Sequence, residues 1–188
     1  MDRANRTKFA ILGILSSGPC SGYDIKKFCE EVLVYFWHES YGQIYPLLRT
    51  LESEGYIRKE IKGKSKGERR IPYSITASGK KELQEWLSKP FSEQPPRNEL
   101  LLKVFFSNLV GPVPVMAQIQ AYLNAQKRLQ GALKEALSSI EQQTGYTEQM
   151  VYWKMTVKLG MRLCNARLAW CQETLQELEE LKQKGKNV

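Results

Sequence analysis

The stretch YGQIYPLLRTLESEGYI, Tyr41 to Ile57, decides how the chain is read. Ile44, Leu47, Leu48 and Leu51 recur at the spacing of one helical stripe, so that face is expected to be buried. Tyr41, Gln43, Tyr45 and Arg49 fall on the other side. Ser40 with Gln43 three residues on fits a capping box, which starts the predicted helix at Ser40. Pro46 then falls in the second turn, where its missing N–H frees the carbonyl of Gly42 and bends or frays the helix start. Gly42 removes a side chain from the same turn and permits another molecule to come close. Gly55 stands where a left-handed cap ends a helix. The outward residue types suit a DNA major groove. Gln pairs with adenine edges, Tyr hydroxyls donate to phosphates, and Arg does either. A recognition helix reads bases with its N-terminal residues, where Tyr41, Gly42 and Gln43 sit. A surface helix with two half-buried tyrosines is the competing reading of this stretch on its own.

Upstream, Phe9, Ile11, Leu12 and Leu15 suggest a first helix, closed by the turn residues Ser16 to Gly22. Ser21 can cap a second helix whose face is Ile25, Phe28, Cys29 and Val32. The aromatic run Tyr35-Phe36-Trp37-His38 leads into Ser40. Downstream the period changes. Tyr56 to Ile61 reads as a strand and Arg70 to Ile75 as its return, around the flexible cationic tip Lys62 to Glu68. Thr76 opens a fourth helix, with Leu83, Trp86 and Leu87 on one side. Three helices, a hairpin and a helix are the order of a winged helix-turn-helix, here over residues 1–89. Between Arg58 and Arg70 lie seven cations against two anions, so five of the eight net positive charges sit in this segment. A basic hairpin beside a polar-faced helix points to a polyanionic partner.

A linker, Pro90 to Arg97, leads into residues 90–188, which read as helical. Leu100 to Leu109 is expected as a short helix, with Gly111-Pro112-Val113-Pro114 as a break. A long helix follows from about Val115 to Glu141, with the stripe Ile119, Tyr122, Leu129, Leu133, Leu137 and Ile140. After Gly145 comes another, on which Val157, Met161, Cys164, Leu168, Cys171, Leu175 and Leu178 step by alternating fours and threes. That heptad seam asks for a partner helix, and the expectation is a homodimer through it. Packing within one chain is the competing reading. The expected class is therefore mainly α: a winged helix-turn-helix with a two-stranded wing, then an α-helical dimerisation domain.

Cysteine and histidine usage excludes several chemistries. The four cysteines form no CxxC pair and His38 is the single histidine, so a metal site is not expected. Cys164 and Cys171, a heptad apart, are about 10 Å apart along a helix, too far for a disulfide. With two aspartates, no phosphate-cradling glycine loop and no GxSxG, neither an enzyme nor a cofactor is expected. No apolar run is long enough to span a membrane. The short N-terminal segment FAILGIL is followed by more amphipathic sequence, so a cytoplasmic protein is expected rather than a secreted one.

The pattern GQIYPLLRTLESEGYI, the basic hairpin and RRIPYSITASGKKELQEWL together resemble the PadR family of bacterial transcriptional regulators. The likeness begins at Ile11-Leu12-Gly13-Ile14-Leu15, runs through Ser21-Gly22-Tyr23-Asp24-Ile25 and reaches Trp86. The C-terminal helices match the family's dimerisation domain by architecture rather than by motif. The resemblance implies a homodimer that binds double-stranded DNA and represses transcription. Carried over by position, it implies base contacts from Ser40, Tyr41, Gln43 and Tyr45, with Arg49 on phosphate. It further implies wing contacts from Lys64, Lys66, Arg69 and Arg70, and backbone contacts from Tyr23 and Lys26. A winged-helix module that binds protein and never DNA is the alternative. Tyr152, Trp153 and Trp170 on the last helix are a candidate pocket for a small aromatic or hydrophobic effector that releases the repressor. Tyr35, Phe36 and Trp37 are a second candidate cluster.

Overall fold

The computed structural model describes residues 3–33, 36–37, 42, 44–60, 71–91, 97–143, 145 and 147–184. They fall into two compact units, Met1–Glu93 and Gln94–Val188. This division and the expected boundary at 89/90 differ by four residues within the linker.

In the first unit, α1 (Arg3–Ser16) leads to β1 (Cys20–Ser21), α2 (Gly22–Glu31) and α3 (Ile44–Ser53). Strands β2 (Ile57–Lys59) and β3 (Pro72–Ile75) and helix α4 (Ala77–Leu87) follow. The core is one cluster in which Ile11 and Leu12 of α1, Ile25 of α2, and Ile44, Leu48 and Leu51 of α3 are essentially inaccessible. Phe9 stacks on Trp86 at 4.5 Å between ring centroids, tying α1 to α4. Lys8 reinforces that joint, with its ammonium 2.9 Å from Glu82 and 4.2 Å from the centre of the Tyr56 ring.

Helix α2 starts in a full capping box. The Ser21 hydroxyl oxygen accepts from the Asp24 N–H at 3.3 Å, and the Asp24 carboxylate accepts from the Ser21 N–H at 3.0 Å. Helix α3 ends in a Schellman motif. Gly55, at φ 75°, donates its N–H to Glu52, and Tyr56 donates to Leu51. The chain then enters β2 with the Tyr56 carbonyl exposed to α4. That carbonyl accepts from the Thr76 N–H at 3.0 Å, while Thr76 caps α4 by accepting from the Gly79 N–H.

Several expectations change. Helix α3 spans Ile44–Ser53, which puts Pro46 third in the helix, in the first turn rather than the second. An N–H there has no partner within the helix, so proline costs little and its fixed φ favours the start. The Ser40–Gln43 capping box lies outside the described residues. The sheet has a third strand: β1, in what read as a turn, pairs antiparallel with β3, giving the order β1-β3-β2. The two-stranded hairpin is paired in register Ile57 to Ile75 and Lys59 to Tyr73. Val32 and Leu87, expected on buried faces, are exposed, since each lies at the fraying end of its helix.

In the second unit, α5 (Glu99–Phe105) is capped by Asn98 and followed by a 3-10 turn, Ser107–Leu109. Helix α6 (Pro112–Gln142) starts at Pro112, not Val115. The GPVP segment thus opens the helix instead of breaking it, because Pro112 and Pro114 occupy first-turn positions that need no N–H. Gly111, at φ 74°, makes the turn into it. Helix α7 (Glu148–Lys184) returns antiparallel to α6. Glu141 meets Lys154 at 3.7 Å, Gln130 donates to Asn165 at 2.8 Å, and the Cys164 thiol donates to the Gln126 carbonyl at 3.2 Å. Leu133 sits against Gly160, whose missing side chain lets the helices close up. Among the described residues no helix is long and apolar enough to cross a membrane.

Candidate nucleic-acid interface

Helix α3 owes its orientation to its apolar face. With Ile44, Leu48 and Leu51 held in the core, Tyr45 and Arg49 must stand on the opposite side. Tyr45 is 53% exposed; Arg49 is exposed and has no acidic partner among the described residues. Four apart on one helix, they form the described part of an outward surface about one turn long. Of the other base-contact candidates, Ser40, Tyr41 and Gln43 lie outside the described residues. On α2, Tyr23 is exposed at the first turn, and Lys26 lies 3.5 Å from Glu30 on the next.

The wing cations Lys64, Lys66, Arg69 and Arg70 also lie outside the described residues. What the structure fixes is where that segment leaves and returns. The Glu60 N–H donates to the Pro72 carbonyl at 2.8 Å, so the chain departs after Glu60 and re-enters at Ile71 side by side. The cations at the base of the hairpin each have an acidic partner, Lys59 closely and the exposed Arg58 more loosely. Lys59 is 2.7 Å from Glu52, whose hydrogen bond holds the Lys59 ammonium above its usual pKa, and Arg58 is 3.4 Å from Glu60.

The seam expected to join two protomers is largely internal. Cys164 and Cys171 are fully buried and face α6, and Leu168 and Leu175 pack into the same cluster as Val115, Ile119 and Leu123. Val157 and Met161 are half-buried. A hairpin partner within the chain satisfies the heptad pattern, which a sequence cannot distinguish from a partner outside it. Burial raises the pKa of both thiols, and of Cys20, where the Asp24 carboxylate adds to it. None of the four cysteines forms a disulfide among the described residues.

The sequence reading missed two surfaces on this unit. Tyr152, Met155, Leu159 and Leu163 step by three, four and four along the outer face of α7, all exposed. Around α5 and the turn after it, Leu101, Leu102, Phe105, Phe106, Leu109, Val110 and Val113 are exposed as well, Phe105 by 79% and Leu109 by 81%. On α7 the signal was apolar excess on a helix whose other face already carried a full seam. The effector trio does not converge. Tyr152 and Trp153 lie near the start of α7, and Trp170 is about 26 Å further along the same helix. There it meets Tyr122 edge-on at 6.4 Å between centroids. In the second aromatic cluster Phe36 is exposed, Trp37 half-buried, and Tyr35 outside the described residues. Among the described residues no three His, Cys, Asp or Glu side chains group so as to hold a metal ion.

Comparison with known proteins gives this arrangement its class. Residues 11–85 match the transcriptional regulator PadR-like family, and residues 96–179 match a domain described as virulence activator alpha C-term. Over 181 residues the chain is 31% identical to the negative transcriptional regulator PadR of Bacillus subtilis, covering 92% of this chain and 97% of that one. The chain belongs to the PadR-like family of transcriptional regulators, which are not enzymes. A PadR-like transcriptional regulator from Bacillus cereus has a similar fold, with TM-score 0.79, 27% identity, and coverage of 92% of this chain and 98% of that one. Bacillus subtilis PadR in complex with operator DNA aligns with TM-score 0.76 and 26% identity over the same shares. The same protein in complex with p-coumaric acid aligns at 0.73 and 25%, again over those shares.

Proposed function

We propose that this chain is a sequence-specific DNA-binding repressor that acts in the cytoplasm as a homodimer, without catalysis or a cofactor. The observation that carries the reading is the outward pair Tyr45 and Arg49 on a helix whose other face is sealed in the core. The operator complex of the Bacillus subtilis relative supports the same assignment. In this reading residues 1–89 bind DNA and residues 90–188 dimerise. Ser40, Tyr41, Gln43 and Tyr45 face bases, and Arg49, Tyr23 and Lys26 meet phosphates. Lys64, Lys66, Arg69 and Arg70 meet the backbone beside the groove.

The test is fluorescence anisotropy across a salt series, on a duplex from the gene's own upstream region and on a random duplex of equal length. Wild type should prefer the upstream duplex and show a steep salt slope. Gln43→Ala should lose about 1–3 kcal/mol of that preference per base contact. Wild type with neither preference nor slope, on that duplex or a selected library, sinks the DNA reading and leaves a protein-binding module. The proposed effector is a small aromatic or hydrophobic molecule, by analogy with the relative's p-coumaric acid complex. Adding that acid to the same assay should weaken upstream binding, and an unchanged affinity counts against it.

The dimer contact is assigned to the exposed outer faces of α5 and α7 rather than to the buried seam. Exposed apolar residues clustered on one helix face mark an interaction site more often than a bare monomer surface. Leu159→Glu sets a charge within the α7 stripe and should shift sedimentation equilibrium from dimer toward monomer by at least about tenfold in dissociation constant. DNA affinity should fall with it, because two half-sites are then no longer held by one particle. A dimer unaffected by Leu159→Glu would remove this surface from the contact.

A further inference from the structure

We infer that Gly22 is a positioning residue for DNA sequence preference, acting through the ring of Tyr45. The inference rests on the DNA-binding reading and adds the element that aims one of its contacts. Gly22 is the first residue of α2 and is buried. A Cβ built there would lie 2.8 Å from Tyr45 Cε1, 3.3 Å from Tyr45 Cδ1 and 3.1 Å from Leu48 Cδ1. The Cδ1–Cε1 side of the Tyr45 ring therefore lies against bare backbone at the start of α2, while about half of the residue stays exposed.

Three features make this a directional constraint rather than ordinary packing. The capping box between Ser21 and Asp24 fixes the backbone on which the ring rests. The β1–β3 pairing, Ser21 opposite Pro72, holds that same backbone from the sheet side. Leu48, whose Cδ1 would lie 3.1 Å from the same Cβ, is fully buried, so the exposed Tyr45 ring is the neighbour that would give way. With Tyr45 53% exposed, the ring would be displaced on the outward face of α3, the surface where DNA would lie. Carbon atoms rest at about 3.5–4.0 Å from one another. A methyl group at Gly22 would thus move the ring edge by close to an ångström. Binding constellations tolerate about 0.5 Å. The substitution changes no charge, so it should alter which sequence is preferred and leave phosphate contacts alone.

The experiment measures the ratio of upstream to random-duplex affinity, and the salt slope, for the full-length wild type, Gly22→Ala, Tyr45→Ala and the double variant. Each single substitution should lower the ratio by roughly tenfold, the double should lower it no further, and the slopes should coincide. Non-additivity of this kind marks two residues acting as one unit. General destabilisation would reduce the active fraction on both duplexes and leave the ratio intact. Wild-type preference retained by Gly22→Ala or by Tyr45→Ala overturns the inference, as does a double variant equal to the product of the singles. If Gly22→Ala does not fold, recovery of folding in the double variant supports the contact, and absence of recovery overturns it. Wild type without preference brings down the DNA reading and the inference together, whereas a preferring wild type with unaffected variants overturns the inference alone.

Discussion

Lys64→Ala/Arg69→Ala should weaken binding to every duplex, by roughly a hundredfold or more at about 0.1 M salt, and should flatten the salt slope by about 3 to 4. The magnitude follows from counterion release. Two phosphate contacts in each of two protomers are lost, and each carries close to one unit of slope. The preference for the upstream duplex should persist, since phosphate contacts position a protein without reading sequence. At the base of the hairpin a smaller effect is expected. Lys59 is held by Glu52 at 2.7 Å, so it cannot neutralise a phosphate without breaking that ion pair. Lys59→Ala should therefore change the slope much less than the double variant. Equal slopes for wild type and the double variant, by anisotropy, would take the wing out of the interface.

The largest stability effect is expected from Gly79→Ala. Read from sequence, a glycine in the first turn of a helix invites replacement by alanine, a gain of up to about 1 kcal/mol. The tertiary contact reverses the sign. A Cβ at Gly79 would run into the Tyr56 carbonyl oxygen, which is backbone and cannot rotate away. The carbonyl is itself held by the Thr76 N–H and hydroxyl, and Tyr56 is pinned by the Schellman bond to Leu51. Overpacking against so fixed a group should cost on the order of 3 kcal/mol. For a unit of this size the melting transition should fall by about 10 °C or more. Differential scanning calorimetry would register it in the N-terminal unit; an unchanged or raised transition would mean that α4 does not dock on the α3–β2 turn as described. On the proposed DNA reading, function should suffer indirectly, because that turn joins α3 to the hairpin.

Both effects depend on one joint. The end of α3, the start of β2 and the start of α4 share the Tyr56 carbonyl and the Gly55 cap, so the outward face of α3 and the base of the hairpin are set by the same few bonds. The Glu52–Lys59 pair closes the joint from the other side. A rigid link of this kind is what a bipartite DNA contact needs, since groove and backbone must be met in a fixed register.

Local chemistry wrote much of this into the sequence. The 3.6-residue periodicity of Ile44, Leu48 and Leu51 identified the buried face of α3, hence the outward position of Tyr45 and Arg49. Ser21, Gly55 and Thr76 marked helix ends because capping depends on residues within a few positions of each other. The cationic segment and its flanking strands were legible for the same reason. Tertiary structure alone decided what depends on residues far apart in the chain. Cys20 and Ser21 become a strand only because Tyr73 and Pro72 arrive beside them. The seam on α7 turned inward because α6 offered it a partner first, and the exposed stripe Tyr152, Met155, Leu159 and Leu163 was left for another surface. Gly22 and Gly79 look alike as helix-start glycines, yet one meets a tyrosine ring and the other a carbonyl. Periodicity and caps are properties of neighbours along the chain, whereas the cost of a methyl group is set by whatever the fold has brought opposite it.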